Sequence, residues 1–64
     1  MIAIRSLRQR TGMTQMDLAK KVGVSQAIIS RYENGERSID LETAATIARA
    51  LNCTIDDLMK EDAQ

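Results

Sequence analysis

Apolar residues recur along this chain at spacings of three and four, in short blocks separated by glycine, asparagine and small hydroxyl or acidic residues. That period belongs to helices, because side chains three and four apart share one helical face. Ile4 and Leu7, with Arg8 on the same side, predict a first helix that Gly12 ends in a left-handed cap position. Thr14-Gln15-Met16-Asp17 spells a capping box, in which the threonine oxygen takes a backbone donor and the aspartate reaches back. The helix it opens places Leu18, Ala19 and Val22 on one face and breaks at Gly23. Ser25 is placed to cap a third helix running to about Glu33, where Asn34-Gly35 signals a turn. A polar loop from Glu36 to Ile39 precedes Asp40, another cap candidate. Leu41, Ala44, Ala45, Ile47, Ala48 and Leu51 then form the broad apolar stripe of a fourth helix. Thr54-Ile55-Asp56-Asp57 is a second capping box, opening a short fifth helix with Ile55, Leu58 and Met59. The pattern predicts an all-α fold of five helices, with one domain over residues 1–60 and a short polar tail over 61–64.

The second and third helices meet at Gly23 across a linker of only about 3–4 residues, the spacing of a helix-turn-helix. Glycine suits that turn because a positive φ is cheap only without a side chain. Ala19 is small enough to let the two helices approach. On the third helix Val24, Ile29 and Tyr32 fit a buried side, with Ile28 at its margin. Gln26, Ala27, Ser30 and Arg31 fall together on the opposite side, at helical offsets of one, four and five. That face carries an amide, a methyl, a hydroxyl and a guanidinium, with no acid. Glutamine can bond adenine bidentately, arginine can bond guanine, and alanine can meet a thymine methyl. A solvated surface face has the same composition in isolation; the turn before it favours the DNA-reading interpretation.

Composition narrows the alternatives. In 64 residues there is no proline or histidine, one aromatic, Tyr32, and one cysteine, Cys53. A lone thiol forms no internal disulfide, and without histidine the commonest catalytic base and metal ligand are missing. No catalytic constellation, metal site or cofactor is expected, and the acids Asp56, Asp57 and Asp62 lack calcium-loop spacing. Met13 and Met16 read as packing or surface residues and Cys53 as a small core hydrophobe. No apolar run approaches the roughly 20 residues that span a bilayer, and the stretch from Met1 to Arg10 lacks the apolar segment of a signal peptide. A cytoplasmic setting is expected, with no membrane partner. Net charge is zero, but its distribution is uneven. Up to Arg37, seven basic side chains stand against three acidic ones; from Ser38 onward, two stand against six. The basic first half would face a phosphate backbone, although ordinary surface charge reads the same way. Arg5, Arg10, Lys20 and Lys21 read as solvated charges, with phosphate contact as the alternative.

These residues in this order resemble the phage Cro/cI repressor family of helix-turn-helix domains. The resemblance is carried by Thr14-Gln15, Leu18-Ala19, Val22-Gly23-Val24-Ser25, Ile29-Ser30, Glu33-Asn34-Gly35, Arg37, Ile47-Ala48 and Ala50-Leu51. It implies a five-helix, lambda-repressor-like domain that binds double-stranded DNA and regulates transcription, as a repressor. It further implies that Gln15 contacts phosphate and braces the third helix, while Gln26 and Ala27 read base edges in the major groove. Ser30 and Arg31, further along the same face, would reach bases or phosphate. Backbone N–H groups around Asn34 and Gly35, the Asn34 side chain and Arg37 would clamp phosphate. Arg8 and Glu33 match a pair that forms an interior salt bridge. Ile55, Leu58 and Met59 lie where the family commonly makes its dimer contact, so a symmetric homodimer is expected, formed fully only on DNA. The alternative is that they close the domain's own core, with Leu58 at least expected to do both. The chain would then be a minimal regulator or a piece of a larger one. The competing reading is a protein-interaction module, an antitoxin or anti-repressor that grips a protein partner with the same fold. The neutral total charge and acidic second half keep that reading open.

Overall fold

The computed structural model describes residues 3–59, which form five helices: α1 (Ile4–Arg10), α2 (Gln15–Val22), α3 (Gln26–Glu33), α4 (Leu41–Ala50) and α5 (Ile55–Met59). The tail expected at 61–64 and the end of the expected domain at 60 lie outside the described residues.

Local chemistry sets most of the helix starts. At α2 the Thr14 hydroxyl accepts from the Asp17 amide at 3.0 Å and the Asp17 carboxylate accepts from the Thr14 amide at 3.1 Å, which closes the capping box. Bonds from the Thr14 backbone and hydroxyl hold the Asp17 carboxyl below its ordinary range. Thr54 and Asp57 repeat the device ahead of α5, at 3.0 and 3.3 Å. The Ser25 hydroxyl caps α3 by accepting from the Ile28 amide at 3.2 Å. Asp40 occupies the cap position of α4 with extended backbone, but its side chain makes no capping hydrogen bond.

The helix ends share one construction. The residue just past each of the first four helices is followed or replaced by one with positive φ: Gly12, Gly23, Gly35 and Asn52. Beyond each, an amide bonds back to the carbonyl five residues earlier: Met13 to Arg8, Val24 to Ala19, Glu36 to Arg31 and Cys53 to Ala48, at 2.9–3.1 Å. These are Schellman closures, which satisfy carbonyls that a helix end leaves open. At Asn52, with φ of 57°, the polar side chain makes the left-handed conformation tolerable.

Ile4, Leu18, Ala19, Ile29, Tyr32, Ala44, Ile47, Ala48, Leu51 and Leu58 form the core, which draws on all five helices. The Ala3 amide bonds the Leu58 carbonyl at 3.0 Å, tying the start of α1 to α5. Two expectations change here. Leu58 is fully buried, so it closes the domain's own core and has no surface to offer a partner. Leu41 is 73% exposed, outside the stripe to which the periodicity assigns it. In a helix the Cα–Cβ bond tilts toward the N-terminus, so the first residue of α4 projects over the preceding loop, past the edge of the core.

Candidate nucleic-acid interface

α2 and α3 pack on each other across the turn at Gly23, with Leu18 and Ala19 buried on one helix and Ile29 and Tyr32 on the other. Gly23 has φ of 87°, and its amide and that of Val24 both bond the Ala19 carbonyl, at 2.8 and 3.0 Å. This closure turns the chain within three residues from the end of α2 to the Ser25 cap. Burial of Ile29 and Tyr32 fixes the rotation of α3. Gln26, Ala27 and Arg31 are therefore exposed, with Ser30 half-buried between them. The four side chains expected to read bases share one outward face.

Behind that face lies a buried carboxylate. Glu33, the last residue of α3, is 1% exposed. Its Oε2 accepts from Arg8 Nε at 2.6 Å, and its Oε1 accepts from Arg8 Nη2 at 3.2 Å, Gln15 Nε2 at 3.0 Å and Arg5 Nε at 3.3 Å. Arg8 also donates through Nη1 to the Met13 carbonyl at 2.8 Å. Burial by itself would raise the Glu33 carboxyl; bonds from Arg8, Gln15 and Arg5 outweigh it and hold the group below its ordinary range. Among the described residues no buried side-chain oxygen or nitrogen lacks a partner. The expected interior salt bridge between Arg8 and Glu33 is present.

The hub sets the direction of amides at the surface. Gln15 donates its Nε2 to Glu33, so its Oε1 faces α3 and accepts from Gln26 Nε2 at 3.4 Å. Gln26 then keeps its Oε1 and its second N–H for an outside partner. That acceptor and donor match the N6–H and N7 edge of adenine in the major groove. Gln15 thus has the bracing geometry expected of it.

The turn after α3 departs from expectation. The backbone amides of Asn34 and Gly35 bond the carbonyls of Ser30 and Tyr32, at 3.0 and 3.2 Å. These donors close the helix and do not point outward as a phosphate clamp. Gly35, with φ of 73°, supplies backbone shape. The side chains of Asn34 and Arg37 remain exposed. Arg5 also departs: it is no isolated solvated charge, since its guanidinium pairs with Glu33 and donates through Nη2 to Asn34 Oδ1 at 3.0 Å. The partners lie 28 and 29 residues away, beyond the reach of a local sequence signal.

Elsewhere, Ile55 is half-buried against the core and Met59 is 45% exposed. Met13 packs against the core and Met16 is exposed. Cys53 is half-buried; burial and then Asp57 push its thiol up against an opposing effect of Arg10, the reverse of what a nucleophilic thiolate needs. Among the described residues no cluster of acids and cysteine could hold a metal ion, and no helix is long and apolar enough to cross a membrane.

The sequence model of the helix-turn-helix family matches residues 4–58. The chain belongs to the helix-turn-helix family. An uncharacterized HTH-type transcriptional regulator of Archaeoglobus fulgidus is 47% identical over 55 residues, which are 86% of this chain and 79% of that protein. The antitoxin PezA of Streptococcus pneumoniae is 39% identical over 59 residues, 92% of this chain, and repressor protein C2 of Salmonella phage P22 is 37% identical over 59 residues, also 92% of it. The chain spans 37% of the length of PezA and 27% of that of C2. A crystal structure of the hypothetical transcription factor NHTF from Neisseria superposes with a TM-score of 0.83 at 27% identity, covering 88% of this chain and 63% of that one. The likeness to a phage repressor agrees with the Cro/cI resemblance, and the five-helix, all-α fold agrees with its lambda-repressor-like architecture. In this helix-turn-helix domain α3 holds the position of the recognition helix.

Proposed function

We propose that this helix-turn-helix domain is a sequence-specific, double-stranded DNA-binding transcriptional regulator, acting as a repressor in the cytoplasm and reading the major groove with the helix over residues 25–33. The observation that carries this reading is the outward face of Gln26, Ala27, Ser30 and Arg31, with Gln26 held by Gln15 and through it by buried Glu33. Gln26 reads adenine, Ala27 meets a thymine methyl, and Ser30 and Arg31 reach bases or phosphate further along. Gln15, the Asn34 side chain and Arg37 bind phosphate, and Gly35 shapes the turn that presents Asn34. Phosphate contacts set the register on the duplex and base contacts set the sequence. The protein binds as a symmetric homodimer through Ile55 and Met59, with Leu58 supporting them from inside.

Selection from a random duplex library at low and raised salt tests this. Enrichment of a two-fold symmetric site with half-sites one helical turn apart is expected, weakening steeply with salt. Gln26→Ala should erase the preference at one base pair per half-site and leave the others. A preference unchanged at every position would remove Gln26 from the reading face. The likeness to PezA supports a second reading, an antitoxin module that grips a protein. Selection with no enrichment at either salt would transfer the assignment to that class.

A further inference from the structure

Arg5 lies on α1, outside the two helices that form the reading unit, yet its guanidinium bridges two groups at the end of α3. Its Nε donates to Glu33 Oε1 at 3.3 Å and its Nη2 donates to Asn34 Oδ1 at 3.0 Å. The guanidinium is planar, so holding Glu33 with one nitrogen fixes where the other can reach. We propose that Arg5 is a positioning residue of the DNA interface, fixing the Asn34 amide with its Nδ2 donor turned outward to a phosphate. This rests on the reading of Asn34 as a phosphate contact.

The chemistry of the amide leads there. A free asparagine presents its oxygen or its nitrogen with little preference, and the oxygen repels a phosphate. Arginine has only donors, so it can satisfy only the oxygen of Asn34, which leaves the two N–H groups on the opposite side. The backbone amides of Asn34, Gly35 and Glu36 are already committed to the helix end, so the turn offers donors outward through side chains, the Asn34 amide and the exposed Arg37 guanidinium. The pattern parallels the other end of α3, where buried Glu33 sets Gln15 and Gln15 sets Gln26. One carboxylate, through Gln15 on one side and Arg5 on the other, orients an amide at each end of the recognition helix. Two guanidiniums share that carboxylate, so an excess positive charge also sits beside Asn34.

The test compares the wild type with Arg5→Lys, Asn34→Ala and the double variant, by affinity for a mixed-sequence duplex of about two helical turns at low salt. Lysine keeps the charge but is a point donor that cannot hold Glu33 and Asn34 in one plane. Asn34→Ala should weaken binding roughly 10-fold, the scale of a hydrogen bond to a charged group. Arg5→Lys should weaken it to a similar degree, and the double variant little further, because both changes remove one contact. In the free protein the side-chain amide resonances of Asn34 should stand apart from those of exposed amides and merge with them in Arg5→Lys. That readout reports whether Arg5 orients the Asn34 amide, and the absence of a further loss in the double variant separates this role from a stabilising one, which thermal unfolding of each variant measures. Arg5→Lys binding as tightly as wild type, effects that multiply in the double variant, or Asn34 resonances that do not move would each overturn the proposal. Failure of the wild type to bind the duplex would instead sink the DNA-binding reading, and the positioning role with it.

Discussion

Glu33 is where residue chemistry and stability meet. A carboxylate with no exposed side-chain surface is held by Arg8, Gln15 and Arg5, and removing its charge leaves a guanidinium with 11% exposure facing an amide. Breaking a buried pair by removing one partner costs roughly 3–5 kcal/mol. Glu33→Gln should lose stability on that scale in urea unfolding at neutral pH; a loss under about 1 kcal/mol would mean that the hub is solvated in solution. The pH dependence has a definite sign. The folded-state value of Glu33 is depressed, so its stabilisation is complete above the ordinary carboxylate range and is lost as pH falls through the folded value. The wild type should therefore lose stability in acid more steeply than Glu33→Gln, the two curves converging at low pH. Parallel curves would assign the acid sensitivity to other carboxylates.

At the scale of elements, the helix-turn-helix depends on how two short helices are stopped and restarted. α2 and α3 have eight residues each, too short to be stable without caps and packing. At Gly23 the conformational demand can be separated from the steric one. A methyl group added there would meet nothing within 4 Å, while φ stays at 87°. Gly23→Ala should therefore cost about 1–2 kcal/mol, the penalty of a left-handed L-residue alone. The folded turn should be retained, with Val24 still bonded to Ala19, as hydrogen exchange at the Val24 amide would report. A much larger loss would mean that α3 moves off α2. Such local devices are why so much of the fold is legible in the sequence: Thr14 and Asp17, Ser25, Thr54 and Asp57, and three glycines each act within a few residues. Leu41 is misread because periodicity gives the angle of a side chain but not where the core stops. Asn52 is missed as a helix terminator because asparagine marks the left-handed position less strongly than glycine. Arg5 is missed because both its partners are far along the chain, and the backbone amides of Asn34 and Gly35 are misread because donors near a helix end look free until the end is closed.

For the molecule as a whole, size limits how it can pair. Its Cα atoms span 27 × 23 × 21 Å, and side chains widen that by a few ångströms on each side. Two recognition helices in successive major grooves lie about 34–36 Å apart, so neighbouring copies on one face of the duplex would touch only at their rims. A stable dimer buries about 800 Å² per partner, about a fifth of the 4170 Å² this chain exposes. Met59 at 45% exposure and half-buried Ile55 make a much smaller patch. Pairing through it should be weak in free solution and effective only when DNA holds two copies side by side, which raises their effective concentration. The protein should therefore sediment as a monomer at micromolar concentration and bind cooperatively to a duplex carrying two half-sites one turn apart. Met59→Glu would place like charges opposite each other across the two-fold axis. It should abolish the cooperativity while leaving affinity for a single half-site unchanged. Cooperativity that survives Met59→Glu would move the contact to another exposed apolar residue, with Leu41 the next to substitute. A loss of half-site affinity in the same variant would show that this end of α5 takes part in binding DNA itself.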